Sequence, residues 1–310
     1  MKEWLEQYLI YLRDVREVSK NTISAYSTDL KQFIEYLHSE EIKDFNKVTD
    51  TRIKAYQLYM KRNEKSNATI SRSLVSIKNF ISFLIRKRVM EEDPTECITS
   101  PKVEKLPPKV ITYEQMKALL EAPDTKTIQG RRDRVILELL YATGMKASEL
   151  IKLRICDVDL RFGCISIKLN GHERVLPIGI IAKEVLTDYL VEIQKETNSN
   201  SNSIVQDEDR EAYLFCTRLG NPFTRQGIWK LVKEYARKTK LHEDFSLQTI
   251  RNSFAAHMID NGADVKSIQE LLGVSEVIAA QKFIKTRSSE TFSTYQRTHP
   301  RNEMDKIYEK

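Results

Sequence analysis

Two capped helical patterns follow one another between Leu247 and Gly273, and a chain that carries them must pack a helical unit there. Leu247, Ile250, Phe254 and Met258 are spaced three, four and four residues apart, which makes one apolar helix face. Asn261-Gly262 stops that helix and Asp264 caps a second, on which Val265, Ile268, Leu271 and Leu272 repeat the spacing before Gly273 closes it. A third helix is expected from about Ser275 towards Phe283. Gln248 and Arg251 lie three residues apart, so both side chains are expected on one face of the first helix.

The chain has 310 residues, enough for two domains with separate cores. Residues 3–90 read as four helices, within a first domain over residues 1–98. Leu5, Tyr8, Leu9 and Leu12 mark the first. Ser19 to Asn21 precede a second, whose inner face is Ile23, Leu30, Phe33, Ile34 and Leu37. A third follows an Asp50 cap. Asn67 opens a fourth, with Ile70, Leu74, Ile77, Ile81 and Leu84 inward. The opposite faces carry Asn21, Ser24, Thr28 and Lys31 on the second helix, and Thr69, Arg72, Ser76 and Asn79 on the fourth. Short hydroxyl and amide groups beside a cation suit phosphates and base edges, and they also suit an ordinary polar face.

Residues 99–110, with prolines and lysines and little apolar content, read as a domain linker. A second domain is expected over residues 111–298, followed by a tail over 299–310. Thr112 and Gln115 form a capping-box pattern, and Arg132 to Thr143 form a helix packed through Val135, Ile136, Leu139 and Leu140. The stretch GCISIKLNGHERVLPIG reads as a hairpin turning at Asn170-Gly171, so residues 163–177 are expected in an antiparallel sheet. Glu196 to Arg210 is polar and low in complexity and reads as a mobile loop, Tyr213 to Cys216 as a short strand, and Thr224 to Lys240 as a basic helix.

The totals set bounds on function. A hydrophobic fraction of 41% with 30% charged residues belongs to a globular protein, and the formal charge of +6 fits a nucleic-acid partner. No apolar run approaches membrane-spanning length, and the first residues enter an amphipathic helix, so a cytoplasmic protein without a membrane partner is expected. Cys97, Cys156, Cys164 and Cys216 have neither CxxC nor Cys/His metal spacing. They are expected to be buried, reduced thiols, with no metal site.

Several segments together resemble one family. NTISAYSTDLKQFIEYL and ATISRSLVSIKNFISFL are similar to the core-binding domain of tyrosine recombinases, also called phage integrases, and YATGMKASELIKL resembles their Tyr-x-Thr-Gly-x-Arg-x-x-Glu-Leu motif. The layout from Phe245 to Phe283 resembles the catalytic region of the bacterial Xer type. The resemblance covers nearly the whole chain. It implies an α+β, mainly helical architecture: an N-terminal four-helix, SAM-like core-binding domain, then a recombinase catalytic-type domain with a small antiparallel sheet. Together these would make a two-domain, C-shaped clamp on double-stranded DNA. It implies DNA contact by Asn21, Thr28, Lys31, Thr69, Arg72, Ser76, Lys146, Arg225, Lys230 and Arg251. It also implies that the C-terminal segment, with Phe292 and Tyr295, docks on a neighbouring protomer, either a second copy or an active paralogue.

The resemblance also implies a chemistry, and most of the positions that would perform it are replaced. Such recombinases form a 3′-phosphotyrosyl bond to DNA without metal, nucleotide or other cofactor. The nucleophilic tyrosine falls at Phe283, which has no hydroxyl. The two histidines fall at Gln248 and Val274, neither of which transfers a proton. The general-acid lysine falls at Asn170, and the first arginine at Lys146, which keeps the charge without the planar fork. Arg251 alone matches. The reading is a DNA-binding member of the family that has lost strand cleavage. The alternatives are an active recombinase with a rearranged site, Tyr295 being a candidate nucleophile, and a protein-interaction module with a vestigial DNA surface.

Overall fold

The computed structural model describes residues 1–103, 108–169, 172–200, 212–273 and 298–299. The chain divides into two compact units, Met1–Leu106 and Pro107–Lys310, each with its own apolar core. Both are dominated by helix, and the second adds a small antiparallel sheet.

Unit 1 contains α1 (Lys2–Asp14), α2 (Lys20–Ser39), α3 (Asp50–Arg62) and α4 (Asn67–Arg86). Side-chain oxygens of Ser19, Thr49 and Ser66 accept backbone N–H groups at the starts of α2, α3 and α4. Asp50, the expected cap of the third helix, is instead its first residue. There its carboxylate sits near the positive helix end and pairs with Lys54 at 2.9 Å. Leu30, Ile53, Ile70, Ile77, Phe80 and Leu84 are fully buried, with Tyr8 and Phe33 nearly so.

The polar sides of α2 and α4 are tied together. Arg72 donates to both carboxylate oxygens of Asp29, at 2.8 and 3.0 Å, and Asn79 donates to the Tyr26 hydroxyl at 3.2 Å. Ser76, expected on the DNA-facing side, is fully buried, and its hydroxyl donates to the Ser73 carbonyl. The reason is that α4 buries more than its Ile and Leu stripe: Ser73, Phe80 and Phe83 are inside as well.

Unit 2 opens with α5 (Tyr113–Glu121), held by a complete capping box of Thr112 and Gln115. Next comes α6 (Ile128–Thr143), which begins four residues before Arg132 because Thr127 caps it. After α7 (Ala147–Leu150) come β1 (Val158–Asp159), β2 (Cys164–Leu169) and β3 (His172–Pro177), in the order β1-β2-β3 and antiparallel throughout. The register pairs Ile165 with Leu176 and Ile167 with Arg174. The turn at residues 170–171 lies outside the described residues.

The α8 helix (Ile180–Asn200) continues into the segment expected to be a loop from Glu196 onward. A helix already nucleated extends through Thr, Ser and Asn at small cost. Residues 201–210 are outside the description. Tyr213 and Cys216 form isolated bridges, to Arg154 and Pro222, and no strand forms there. The unit continues with α9 (Arg225–Lys238), α10 (Leu247–Asp260) and α11 (Val265–Leu272), whose caps are Thr224, Ser246 and Asp264. The helix expected from Ser275 lies outside the described residues. The cysteines are free but not buried: Cys97 and Cys156 are exposed, and Cys164 and Cys216 are half-buried.

The residue before α5's cap is fastened to α10. Ile111 donates its N–H to Ser253 Oγ at 3.1 Å, and its carbonyl lies 3.0 Å from His257 Nε2. A carbonyl only accepts, so Nε2 carries the imidazole proton and Nδ1 accepts from the Tyr141 hydroxyl at 2.9 Å. Burial pushes the His257 pKa down, against the smaller opposing effects of the Ile111 bond, Asp260 and Glu114.

Two expectations follow from these ties. Replacing Arg72 with alanine leaves the Asp29 carboxylate, which is almost wholly buried, without its partner. Unit 1 should lose about 1–3 kcal/mol, read by denaturant unfolding; a loss below about 0.5 kcal/mol would mean that solvent replaces the pair. For His257, the folded state disfavours protonation, so the unfolded chain binds more protons once pH falls to about 6.5. This contribution is fully present above that pH and declines as pH falls through it. The melting temperature of the protein should drop between about pH 7.5 and about pH 5.5. His257→Gln should flatten the dependence, and an equal slope in both proteins would assign it elsewhere.

Candidate functional site

The site is built where the end of α6, the start of α7, β3 and the ends of α10 and α11 are joined by charged side chains. Thr143 closes α6 by donating its hydroxyl to the Leu139 carbonyl at 2.7 Å and accepting the Met145 N–H at 3.2 Å. Gly144 follows in the left-handed conformation at φ 59°. A β-carbon there would lie 2.5 Å from the Phe254 ring and 2.8 Å from Leu272, so glycine is required on two counts. The turn aims the Gly144 carbonyl at Arg251.

Arg251 is 7% exposed. Its Nη1 donates to the Gly144 carbonyl at 2.5 Å and its Nη2 to the Leu272 carbonyl at 2.6 Å. The guanidinium therefore ties the α6–α7 turn to the C-terminal end of α11. Burial lowers its pKa to about 10, with Glu149 opposing the shift and Arg174 adding to it, so it stays charged at neutral pH.

Glu149 is the carboxylate of this cluster, its side chain 3% exposed. Its Oε2 accepts the Lys146 backbone N–H at 2.7 Å, capping α7, and Arg174 Nη2 at 3.0 Å. Arg174 was not among the residues singled out from the sequence. Its signal was nonetheless there. In a two-residue turn at Asn170-Gly171, residue 174 falls opposite Ile167, and cross-strand partners share a face. Ile167 is in the core, so a guanidinium opposite it points inward. Arg174 Nη1 reaches Gly273 so closely that a β-carbon there would be 1.7 Å away.

The other expected residues are placed as follows. Lys146 is exposed beside this cluster. Gln248 is exposed in the first turn of α10 and donates to Asn252 at 2.9 Å, so it and the buried Arg251 are not brought together as a pair. The reason is that α10 is buried on several sides, through Thr249, Ile250, Arg251, Ser253 and His257. Asn170, Val274, Phe283, Phe292 and Tyr295 lie outside the described residues. On unit 1, Asn21, Thr28 and Lys31 are exposed, Thr69 is half-buried and hydrogen-bonded within its own capping turn, and Arg72 is engaged by Asp29. On unit 2, Arg225 and Lys230 are exposed on α9. Among the described residues no group of His, Cys, Asp and Glu could hold a metal ion, and no helix is long and apolar enough to cross a membrane.

Chemically, the arrangement offers fixed positive charge and hydrogen-bond donors without an imidazole at position 248. Donors and charge of this kind match the oxygens of an anion and supply no group to move a proton. Removing the Arg251 guanidinium leaves two buried carbonyls without donors, so Arg251→Gln should cost about 2 kcal/mol of stability in thermal or denaturant unfolding. An unchanged midpoint would show that these bonds do not hold the turn.

Residues 109–290 match the phage integrase family, and residues 5–88 match the phage integrase N-terminal SAM-like domain. The tyrosine recombinase XerD of Halalkalibacterium halodurans is 33% identical over 299 residues, covering 96% of this chain and 97% of its own. The XerD of Staphylococcus haemolyticus is 34% identical over 302 residues, covering 97% and 100%. The crystal structure of a lambda integrase dimer bound to a COC' core site is similar in fold, with a TM-score of 0.69 at 16% identity, covering 94% of this chain and 97% of that one. The α+β architecture, with its helical SAM-like domain and small three-stranded sheet, is the one those matches require. With both units matched and XerD proteins aligned along nearly its whole length, the chain belongs to the phage integrase family as an Xer-like tyrosine recombinase.

Proposed function

We propose that this member of the family binds duplex DNA without cleaving it. The observation that carries the reading is the split at the site. The phosphate-binding arginine is retained and rigidly held, while the positions of the groups that would move protons and attack carry Gln248, Val274, Asn170 and Phe283. Catalytic groups of this kind act as a unit, so the loss of most members leaves little for the remainder. A lambda integrase with the same fold was crystallised on a DNA core site, which supports DNA as the partner here. The exposed Asn21, Thr28 and Lys31 of unit 1 and Arg225 and Lys230 of unit 2 are the surfaces we assign to it. Residues 1–98 and 111–298 act as the two DNA-holding domains and 99–110 as their linker. The protein works in the cytoplasm, and residues up to the tail at 299–310 engage a second copy or an active paralogue.

The test is a nicked suicide substrate of the family type on a denaturing gel, alongside duplex binding measured across salt. The expected outcome is no covalent adduct with the wild-type chain. Binding should weaken steeply with salt, because each neutralised phosphate releases about 0.9 of a counterion. Arg225→Ala with Lys230→Ala should flatten that dependence by up to about two phosphates' worth. These residues are better probes than Arg72, whose loss also uncovers Asp29. An adduct mapped to Tyr295 or another tyrosine would establish an active enzyme with a rearranged site. No binding at low salt would favour a protein-interaction module.

A further inference from the structure

We propose that Arg174 is a second phosphate-binding guanidinium of this chain, forming with Arg251 a two-arginine cradle for one DNA phosphodiester beside Leu272 and Gly273. The assignment rests on the DNA-binding reading above and adds to it a residue that was not one of its candidates. Lys146 brings charge to this site but only a point charge, whereas a guanidinium presents the planar fork that matches a phosphate. Arg174 is the other guanidinium placed here.

Three observations converge on it. Arg251 Nη2 is bonded to the Leu272 carbonyl, and Arg174 Nη1 lies against the next residue, Gly273, in the space a β-carbon would fill. Two guanidinium groups thus meet at one helix end, close enough for Arg174 to disfavour the charge on Arg251. One carboxylate, Glu149, serves both: it accepts Arg174 Nη2 at 3.0 Å and its charge supports Arg251. The balance of that cluster is an excess positive charge in partly buried surroundings, which an anion would neutralise. Finally, Arg174 Nε is buried without a hydrogen-bond partner among the described residues. A buried charged donor left unmatched is a feature that a phosphate oxygen would satisfy.

A purely structural role for Arg174, neutralising Glu149, makes different predictions. The experiment measures fluorescence anisotropy of a labelled duplex of random sequence across a salt series, with thermal unfolding of every variant. Arg174→Gln should lower affinity about tenfold at low salt and reduce the slope of log affinity against log salt by about 0.9, one phosphate's worth. Arg174→Lys should retain the slope, because the charge remains, while losing part of the affinity. The double variant Glu149→Gln with Arg174→Gln has no orphaned carboxylate, so it keeps the comparison valid if the single variant unfolds. It should bind as weakly as Arg174→Gln. Wild-type affinity and slope in the double variant, or an unchanged slope in a folded Arg174→Gln protein, would overturn this assignment alone. Absence of binding by the wild-type chain would instead sink the DNA-binding reading, and this assignment with it.

Discussion

The Arg251 guanidinium bridging the carbonyls of Gly144 and Leu272 is the contact on which unit 2 turns. Those two carbonyls belong to the ends of α6 and α11, more than a hundred residues apart in the chain. Chain ends of helices leave carbonyls without intrahelical partners. Both α6 and α11 end in a left-handed glycine: Gly144 is hemmed in by Phe254 and Leu272, and Gly273 by Arg174. Arg251, where the family resemblance implies a phosphate contact, is a structural rivet in this chain. The two buried carbonyls give a physical reason for an arginine at this position whatever chemistry surrounds it.

The charges around it form a graded set. Glu149 is nearly inaccessible and holds both the Lys146 backbone and the Arg174 side chain, while the Lys146 side chain reaches solvent. With lysine at position 146, Arg174 and Arg251 still supply guanidinium to this cluster. Charge that binds and groups that transfer protons are separable properties, and the function we propose rests on that separation.

Unit 1 shows the same economy at its polar surface. The Arg72–Asp29 pair and the Asn79–Tyr26 hydrogen bond join α2 to α4 across the side that the family resemblance implies would face DNA. A bidentate pair with one buried carboxylate is strong evidence of geometric fixation and weak evidence of net stabilisation. It also presents Asn21, Thr28 and Lys31 on a helix whose position is set by that clasp.

Much of this was legible in the chain itself. Helix positions followed from apolar spacing and caps, because both depend on neighbours within a few residues: Ser19, Thr112, Asp264 and Gly273 each stand where they terminate an element. The hairpin strands followed from alternation around Asn170-Gly171, and the absence of a hydroxyl at position 283 is a matter of side-chain identity in any fold. Burial and pairing were decided by tertiary structure. Spacing does not say that Ser76 is inside, that Gln248 turns to Asn252 while Arg251 enters the core, or that His257 clasps Ile111. Those outcomes depend on how many neighbours a helix has, and α4 and α10 are covered on more sides than a single apolar stripe indicates. Arg174 lies between the two cases. Its inward direction was implicit in strand register, but its partners, Glu149 and Gly273, come from 25 residues upstream and from the far end of the unit, where only folding brings them together.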